Sequence, residues 1–378
     1  MSWPAAICAL SGSILLAGWV AYPFGLALAG GLRRLARNGG PQPAATDHHV
    51  SVIIATRDEP AVVARRIADL LANGYARELL QIVVGVDCRA RFALAEYQAA
   101  LGGQCLLVTG DEPGGKAATL NAAVRAASAE LLLFADSQQS FVPGAVGALS
   151  ASLHSPEVGA VTGTWQAGKA ARQRGVLSLF WNYELALRRR ESALHSVVAV
   201  TGAIYAMRRS LWQPLPPGLI CDDLQVPFNV VRQGYRVVAS EAAIAIDDRR
   251  FTRRQDYARK VRTLTGLLQF CSLNAWVLVP WRNPIWVQFL CHKLIRLATP
   301  YLLIALLLGA LPLLWPLRVT LPGWPWQLLG VTAIALAVTL MVPRTRRIVG
   351  QAAWAGWLLT APVLACRNAI RRDWDVWR

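Results

Sequence analysis

The order of apolar and polar positions divides the chain into two kinds of texture. At both ends apolar residues run on with few charges, whereas in the middle short apolar runs alternate with stretches of helical spacing. Residues 50–55 (Val-Ser-Val-Ile-Ile-Ala) read as a buried strand, and 62–72 follow with helical periodicity. Residues 80–87 form a second run that ends on Asp87, and 105–109 a third. Gly114-Gly115-Lys116 opens a helix over 117–127, and Leu131-Leu132-Leu133-Phe134-Ala135 is a fourth strand that ends on Asp136. Short apolar runs bounded by polar residues are the mark of strands covered on both faces, and their alternation with helices makes crossover units. The pattern predicts an α/β domain with a mostly parallel sheet. Residues 158–164 and 235–240 add two strands, and 175–192 a helix. A further helix starts at Asp222-Asp223 and stops near Gln233-Gly234, where glycine suits the position after a helix end.

The ends read differently. Residues 3–32 are nearly uncharged and long enough, at about 1.5 Å per residue, to cross a hydrocarbon core. No Lys or Arg precedes this run and it is too long for a signal core, so it reads as a retained anchor. The Arg33-Arg34-Leu35-Ala36-Arg37 cluster behind it belongs on the cytosolic side, and 38–49 serves as the linker. After Arg249, the basic clusters Arg249–Arg254 and Arg259–Arg262 precede an apolar stretch at 264–279, the pattern of an interfacial helix. Residues 294–316 can span, with kinks expected at Pro300 and Pro312, and 324–342 form a second span. Residues 317–323 carry only Arg318 and suit the outside, and Arg344–Arg347 return the chain to the cytosol. For 348–366 a span, a hairpin turning at Pro362 and an interfacial helix all remain open. The expected organisation is an anchor (1–37), a cytosolic α/β domain (50–250), interfacial helices (251–285) and a C-terminal membrane region (286–378). That describes a multi-pass protein of the cell's inner membrane with its working domain in the cytoplasm.

Composition sharpens this. Of 378 residues 54% are hydrophobic, too many for an ordinary soluble enzyme. The net charge of +17 comes almost wholly from arginine, the lysines being Lys116, Lys169, Lys260 and Lys293. Such a balance suits lipid headgroups and phosphorylated substrates. Nucleic acid is disfavoured as a partner, because the arginine clusters flank apolar spans and no nucleic-acid module is present. Seven cysteines without a C-x-x-C pair argue against a disulfide framework or a zinc site.

Ligands of open α/β sheets gather beyond the carboxyl ends of the strands, where Asp87 and Asp136 stand, although a lone Asp after a strand is more often a cap. Gly114-Gly115-Lys116 offers backbone N–H groups at a helix start and a point charge for a diphosphate; otherwise it is a tight turn. Asp222-Asp223 can supply a proton acceptor, or simply enjoy the helix dipole. Taken together, these residues resemble the family 2 glycosyltransferases, in the membrane-embedded branch related to cellulose, chitin and hyaluronan synthases. The resemblance runs from about residue 50 to 269 by motif and over the flanks by layout.

It implies a GT-A-type nucleotide-sugar domain. Thr56, Arg57 and Glu59 would line the base and ribose site together with Asp87. Gly115, Lys116 and Asn121 belong to an element resembling G-K-x-x-x-L-N, expected at the diphosphate. Asp136-Ser137-Gln138 falls at the family's D-x-D, so Asp136 and Gln138 are the expected ligands of a divalent cation, Mg²⁺ or Mn²⁺. Gln138 brings no charge, which implies weaker metal binding. Asp223 matches the general base and Asp222 its neighbour. Arg262 matches the arginine of Q-x-x-R-W, while Arg259 and Thr263 replace its Gln and Trp, which counts against processivity. On the acceptor side stand Gly202, Ala203 and Arg259, with Trp181 as a sugar-stacking ring; Trp181 and Tyr183 serve equally well as core. The implied reaction is inverting transfer from a nucleotide sugar, UDP-linked, to a glycan acceptor in exopolysaccharide or envelope synthesis. The alternatives are a lipid acceptor, as in ceramide-type enzymes, a degenerate membrane scaffold, and, least of all, a transporter.

Overall fold

Eight strands join in one sheet in the computed structural model, which describes residues 2–36, 48–168, 176–314, 350, 353–354 and 356–374. The strands are β1 (Val50–Thr56), β2 (Leu80–Val86), β3 (Leu106–Thr109), β4 (Leu131–Ala135), β5 (Ser140–Phe141), β6 (Val158–Ala167), β7 (Ile204–Arg208) and β8 (Arg236–Asp247), in the order β3-β2-β1-β4-β7-β6-β8-β5. The helices of the domain are α3 (Pro60–Leu71), α4 (Leu94–Leu101), α5 (Lys116–Ala126), α6 (Ala145–Ser152), α7 (Val176–Leu194) and α8 (Asp222–Arg232). Ahead of them lie α1 (Trp3–Leu16) and α2 (Tyr22–Ala36). After them come α9 (Arg253–Leu273), α10 (Trp286–Phe289), α11 (Ile295–Leu314) and α12 (Ala361–Arg371).

The half of the sheet built from β1 to β4 is parallel, as the alternation predicts, with Val50 opposite both Leu80 and Leu131. Beyond β4 the direction reverses: β7 runs antiparallel to β4 and to β6, and β8 returns parallel to β6. The sheet is therefore mixed. Both faces of the parallel half are covered, so its strands carry unbroken apolar runs. Close packing of α5 on that half depends on two glycines. A Cβ at Gly85 would lie 2.9 Å from Thr119 Cγ2 and 3.0 Å from its carbonyl oxygen. One at Gly110 would lie 2.6 Å from Thr119 Oγ1. Helices α4 and α6, and the two-residue strand β5, have too little apolar contrast to be read from sequence.

The flanks form two helical runs, Trp3–Gly31 and Trp286–Leu313, each long and apolar enough to cross a membrane. Each passes through one π-helical turn, Ala17–Ala21 and Leu290–Leu294. They pack on each other through small residues: a Cβ at Gly309 would meet Cys8 Sγ and Pro4 O, both at 2.9 Å. Pro300 and Pro312 both lie inside α11. The span expected at 324–342, its neighbouring loop 317–323, the Arg344–Arg347 cluster and the linker 38–47 fall outside the described residues. Pro362 occupies the first turn of α12, just after a turn at 359–360, and Ala361 and Ala365 are buried where α12 lies along α9.

Candidate active site

Three strand ends and two helix starts meet beyond the carboxyl edge of β1, β2 and β4. Asp87, just past β2, is 3% exposed and fixes this corner. One carboxylate oxygen accepts from the Arg89 backbone N–H at 3.0 Å, the other from the Gly115 N–H at 2.9 Å, and Arg57 Nε lies 3.2 Å away. Gly114 and Gly115 adopt φ of +82° and +97°, and a Cβ on Gly114 would lie 2.8 Å from Asp87 Oδ1. Only glycine lets the turn come this close to the acid. The turn aims the start of α5 at the strand ends, and Lys116 is its first residue.

Lys116 is the centre of the site. Its ammonium lies 3.3 Å from Asp136 Oδ1 and 3.4 Å from Asp222 Oδ2. Neighbouring Asp223 heads α8, and its carbonyl accepts from Val200 N–H at 3.0 Å. The contact with Asp222 is an ion pair without hydrogen-bond alignment, so this buried oxygen has no donor among the described residues. Burial works to lower the Lys116 pKa, but Asp136, Asp222 and Asp223 override it and hold the ammonium well above its ordinary value. Burial and the adjacent Asp222 charge push the Asp223 carboxyl up, against the opposing pull of Lys293, Lys116 and Arg188. The pair is thus arranged as a basic carboxylate beside a charge-neutralised one.

The other expected residues take distinct places. The Thr56 hydroxyl accepts from Asp58 N–H at 2.9 Å, which shapes the loop after β1, while Arg57 and Glu59 are exposed on it. The Asp58 carboxylate accepts from the Ser137 hydroxyl, tying that loop to the Asp136-Ser137-Gln138 corner. Asn121 spends both amide atoms on Leu215, donating to its carbonyl and accepting from its N–H at 2.9 Å each, and so pins a loop. Gly202 leaves room for Lys116, whose Nζ would lie 3.6 Å from a Cβ there, while Ala203 is core. Trp181 meets Trp165 edge-on at 5.4 Å, whereas Tyr183 stacks on Trp19 of the N-terminal run. Arg259 lies over the Phe251 ring at 4.2 Å, and Arg262 is half-buried on α9 one turn before Gly266, which packs against Cys221.

The fold family's divalent cation finds a modest donor set. Asp136 keeps 38% of its side chain exposed, and Gln138 beside it is half-buried. Among the described residues no three His, Cys, Asp or Glu side chains are grouped so that they could hold a metal ion by themselves. One carboxylate and one amide fit a hard cation that takes its remaining oxygens from a diphosphate and water. Elsewhere, a recess of about 430 Å³ lined by His49, Glu78 and Gln81 sits at the opposite, amino-terminal edge of the sheet, away from these groups.

Residues 48–269, well over half of the chain, match the family described as glycosyltransferase like family 2. The chain belongs to glycosyltransferase family 2. Comparison with curated proteins finds no match. Among solved structures, the glycosyltransferase resembles the mannosyltransferase PcManGT from Pyrobaculum calidifontis in complex with GDP-Man and Mn²⁺. The TM-score is 0.68 at 18% identity, over 96% of this chain and 99% of that one. The glucosyl-3-phosphoglycerate synthase of Mycobacterium tuberculosis, with Mn²⁺, UDP and glucosyl-3-phosphoglycerate, aligns at a TM-score of 0.43 and 16% identity, over 62% of this chain and 86% of that one. The GT-A fold read from the motifs is thereby shown.

Several residues of the glycosyltransferase's site escaped the sequence reading. Tyr205 is fully buried, stacks on Phe134 at 4.4 Å, and points a hydroxyl without a hydrogen-bond partner among the described residues. Asp247 is buried behind Gln139, accepting from its amide at 3.0 Å and from Arg249 at 2.7 and 2.9 Å. Burial alone would raise the Asp247 pKa, but those hydrogen bonds bring it down to about 2. Lys293 is the remaining one; a charged residue at the foot of an apolar run was the available signal.

Proposed function

We propose that this family 2 glycosyltransferase is a membrane-anchored inverting enzyme that moves a sugar from a nucleotide sugar to a hydroxyl at the membrane face. The observation that supports this most is the meeting of Asp136 and Asp222 at Lys116, from parts of the chain far apart in sequence, with Asp223 the next residue after Asp222. In this reading the donor's diphosphate rests on Lys116 and the N–H groups at the start of α5, with Arg262 beside the leaving group. A cation held by Asp136 and Gln138 would add positive charge at that diphosphate. The acceptor hydroxyl attacks the anomeric carbon opposite the breaking bond. The new C–O bond forms as the old one breaks, its electron pair leaves with the nucleoside diphosphate, and the proton passes to Asp223. The two apolar runs would hold the site at the cytoplasmic membrane surface, with a glycan or a lipid as acceptor. The family resemblance suggests UDP as the carrier, and the Pyrobaculum mannosyltransferase was captured with GDP-Man, so both are tested.

The purified full chain, incubated with UDP-glucose, UDP-N-acetylglucosamine or GDP-mannose, Mg²⁺ or Mn²⁺ and bacterial membrane lipid, should transfer sugar from one donor. Asp223→Asn should lower the rate about 10²–10⁴-fold, the usual worth of a general base, while nucleotide binding persists. Equal turnover by wild type and Asp223→Asn would refute the assignment. A wild-type chain that binds no nucleotide would support the scaffold alternative.

A further inference from the structure

The segment that follows β8 runs beside the Asp136-Ser137-Gln138 corner. Strand β5 pairs antiparallel with β8, Ser140 opposite Ile246 and Phe141 opposite Ala245, and the Val142 N–H donates to Ile244 O at 3.0 Å. Continued past Ser140, the same register sets Gln139 opposite Asp247, Gln138 opposite Asp248 and Ser137 level with Arg249. The Gln139 amide does donate to Asp247 Oδ2, at 3.0 Å. Arg249 is therefore a neighbour of the corner, and its side chain is fixed there. Asp247, fully buried, accepts from Arg249 Nε at 2.9 Å, from Nη2 at 2.7 Å and from the Arg249 backbone N–H at 3.1 Å.

A guanidinium gripped along that edge keeps Nη1 for another partner. Among the described residues Nη1 donates to nothing, and 40% of the side chain is exposed. The ring of Phe251 backs it at 5.2 Å. The hydrogen bonds to Asp247 raise the Arg249 pKa, burial opposes them, and the charges of Asp247, Asp136 and Asp58 add to the rise. One ammonium cannot balance all that meets at this corner. Lys116 is already shared by Asp136 and Asp222, with Asp223 next in the chain, before any diphosphate arrives. A second acid at position 138 would help hold a divalent cation; Gln138 brings no charge and holds one less tightly. Arg249 carries positive charge to the same corner on a side chain, and its flat fork suits paired phosphate oxygens.

Resting on the transferase reading above, we infer that Arg249 is a binding residue for the donor's diphosphate and Asp247 its positioning residue. With Lys116 it holds the donor even when no divalent cation is bound. A cation at Asp136 and Gln138 then adds to donor binding and is not a condition for it. No bond is made or broken by Arg249; it binds charge that is already on the donor.

The test uses the full chain in neutral detergent, titrated in a calorimeter with UDP, GDP, uridine and guanosine, in Mn²⁺ and in excess EDTA. In EDTA the wild type should bind its preferred nucleoside diphosphate within about tenfold of its Mn²⁺ affinity. Arg249→Gln should weaken that binding in EDTA by about 10–100-fold, the worth of a charge-assisted contact. Mn²⁺ should restore part of the loss, and nucleoside binding should not change. Arg249→Lys, which keeps the charge without the fork, should fall between the two. Asp247→Asn, which frees the guanidinium, should weaken diphosphate binding several-fold and leave nucleoside binding alone. Should Arg249→Gln fail to fold because Asp247 is left unpaired, the double variant Asp247→Asn with Arg249→Gln removes both charges and must show the same loss. A wild type whose binding falls more than about a hundredfold in EDTA, an Arg249→Gln variant that binds diphosphate as well as wild type, or equal weakening of nucleoside and diphosphate would each overturn the inference and leave the transferase reading standing. A wild type that binds no nucleotide in either buffer would sink the transferase reading, and this inference with it.

Discussion

Asp223 shows how one residue's surroundings set its task. Its carboxyl is pushed above the ordinary range by burial and by Asp222, so the folded chain holds that proton more tightly than the unfolded chain. The stability drawn from this group is complete below the unfolded pKa of about 3.9 and is lost as pH rises through the folded value. At neutral pH the ionised acid is therefore a strain on the fold and, in the proposed reaction, the proton acceptor. Asp223→Asn should raise the thermal midpoint at pH 7 by about 1–4 °C, a gain that shrinks toward pH 4 as the wild-type acid protonates. Melting curves of both proteins across that range check it. The acid limb of the transfer rate should also sit above the pH where a solvated aspartate titrates.

At the scale of elements, the place of Lys116 depends on how closely α5 lies against β2. Gly85→Ala would drive a methyl group into Thr119, with no flexible side chain end to yield against the backbone oxygen at 3.0 Å. Overpacking of this kind costs about 1–3 kcal/mol. Because Lys116 begins the displaced helix, the donor KM should rise several-fold together with the loss of stability, which urea titration and initial rates would separate from a purely local defect. Gly85 also marks what the sequence can disclose. The parallel half of the sheet was legible because strands covered on both faces must be apolar throughout, and Asp87 and Asp136 lie at ends those runs define, while Lys116 and Asp223 stand at helix starts. The antiparallel return through β7 was not, because strand direction is set by the path between elements and leaves no trace in a five-residue run. Nor was Tyr205, whose aromatic body looks like core until its partners in space are known. Asn121 misled for the opposite reason: it sits inside a recognisable motif, yet its amide is taken up by Leu215.

At the scale of the whole molecule, the catalytic domain is joined to the apolar runs by polar groups. Glu191, fully buried on α7, accepts from Tyr22 of the first run at 2.7 Å and meets His292 of the second. Trp19 Nε1 donates to Thr299 Oγ1 at 3.0 Å, and Arg296 lies over the Trp19 ring at 5.2 Å. Such a junction fixes orientation more than it adds stability, and breaking one partner leaves charge uncompensated. His292→Leu should cost about 3–5 kcal/mol and abolish transfer, while nucleotide binding by the domain survives at low temperature. Calorimetry in detergent alongside nucleotide titration would show both, and loss of the two together would mean that the junction also shapes the donor site.

One ammonium, that of Lys116, stands between two sets of oxygens and cannot satisfy both. While the enzyme idles, it quiets Asp222 and its neighbour; once a diphosphate draws it away, those acids are left hungrier for a proton. Readiness would then follow loading, and an acceptor that came early would find an indifferent partner. Strictly sequential kinetics, with the nucleoside diphosphate competing against the donor alone, is the behaviour such sharing entails.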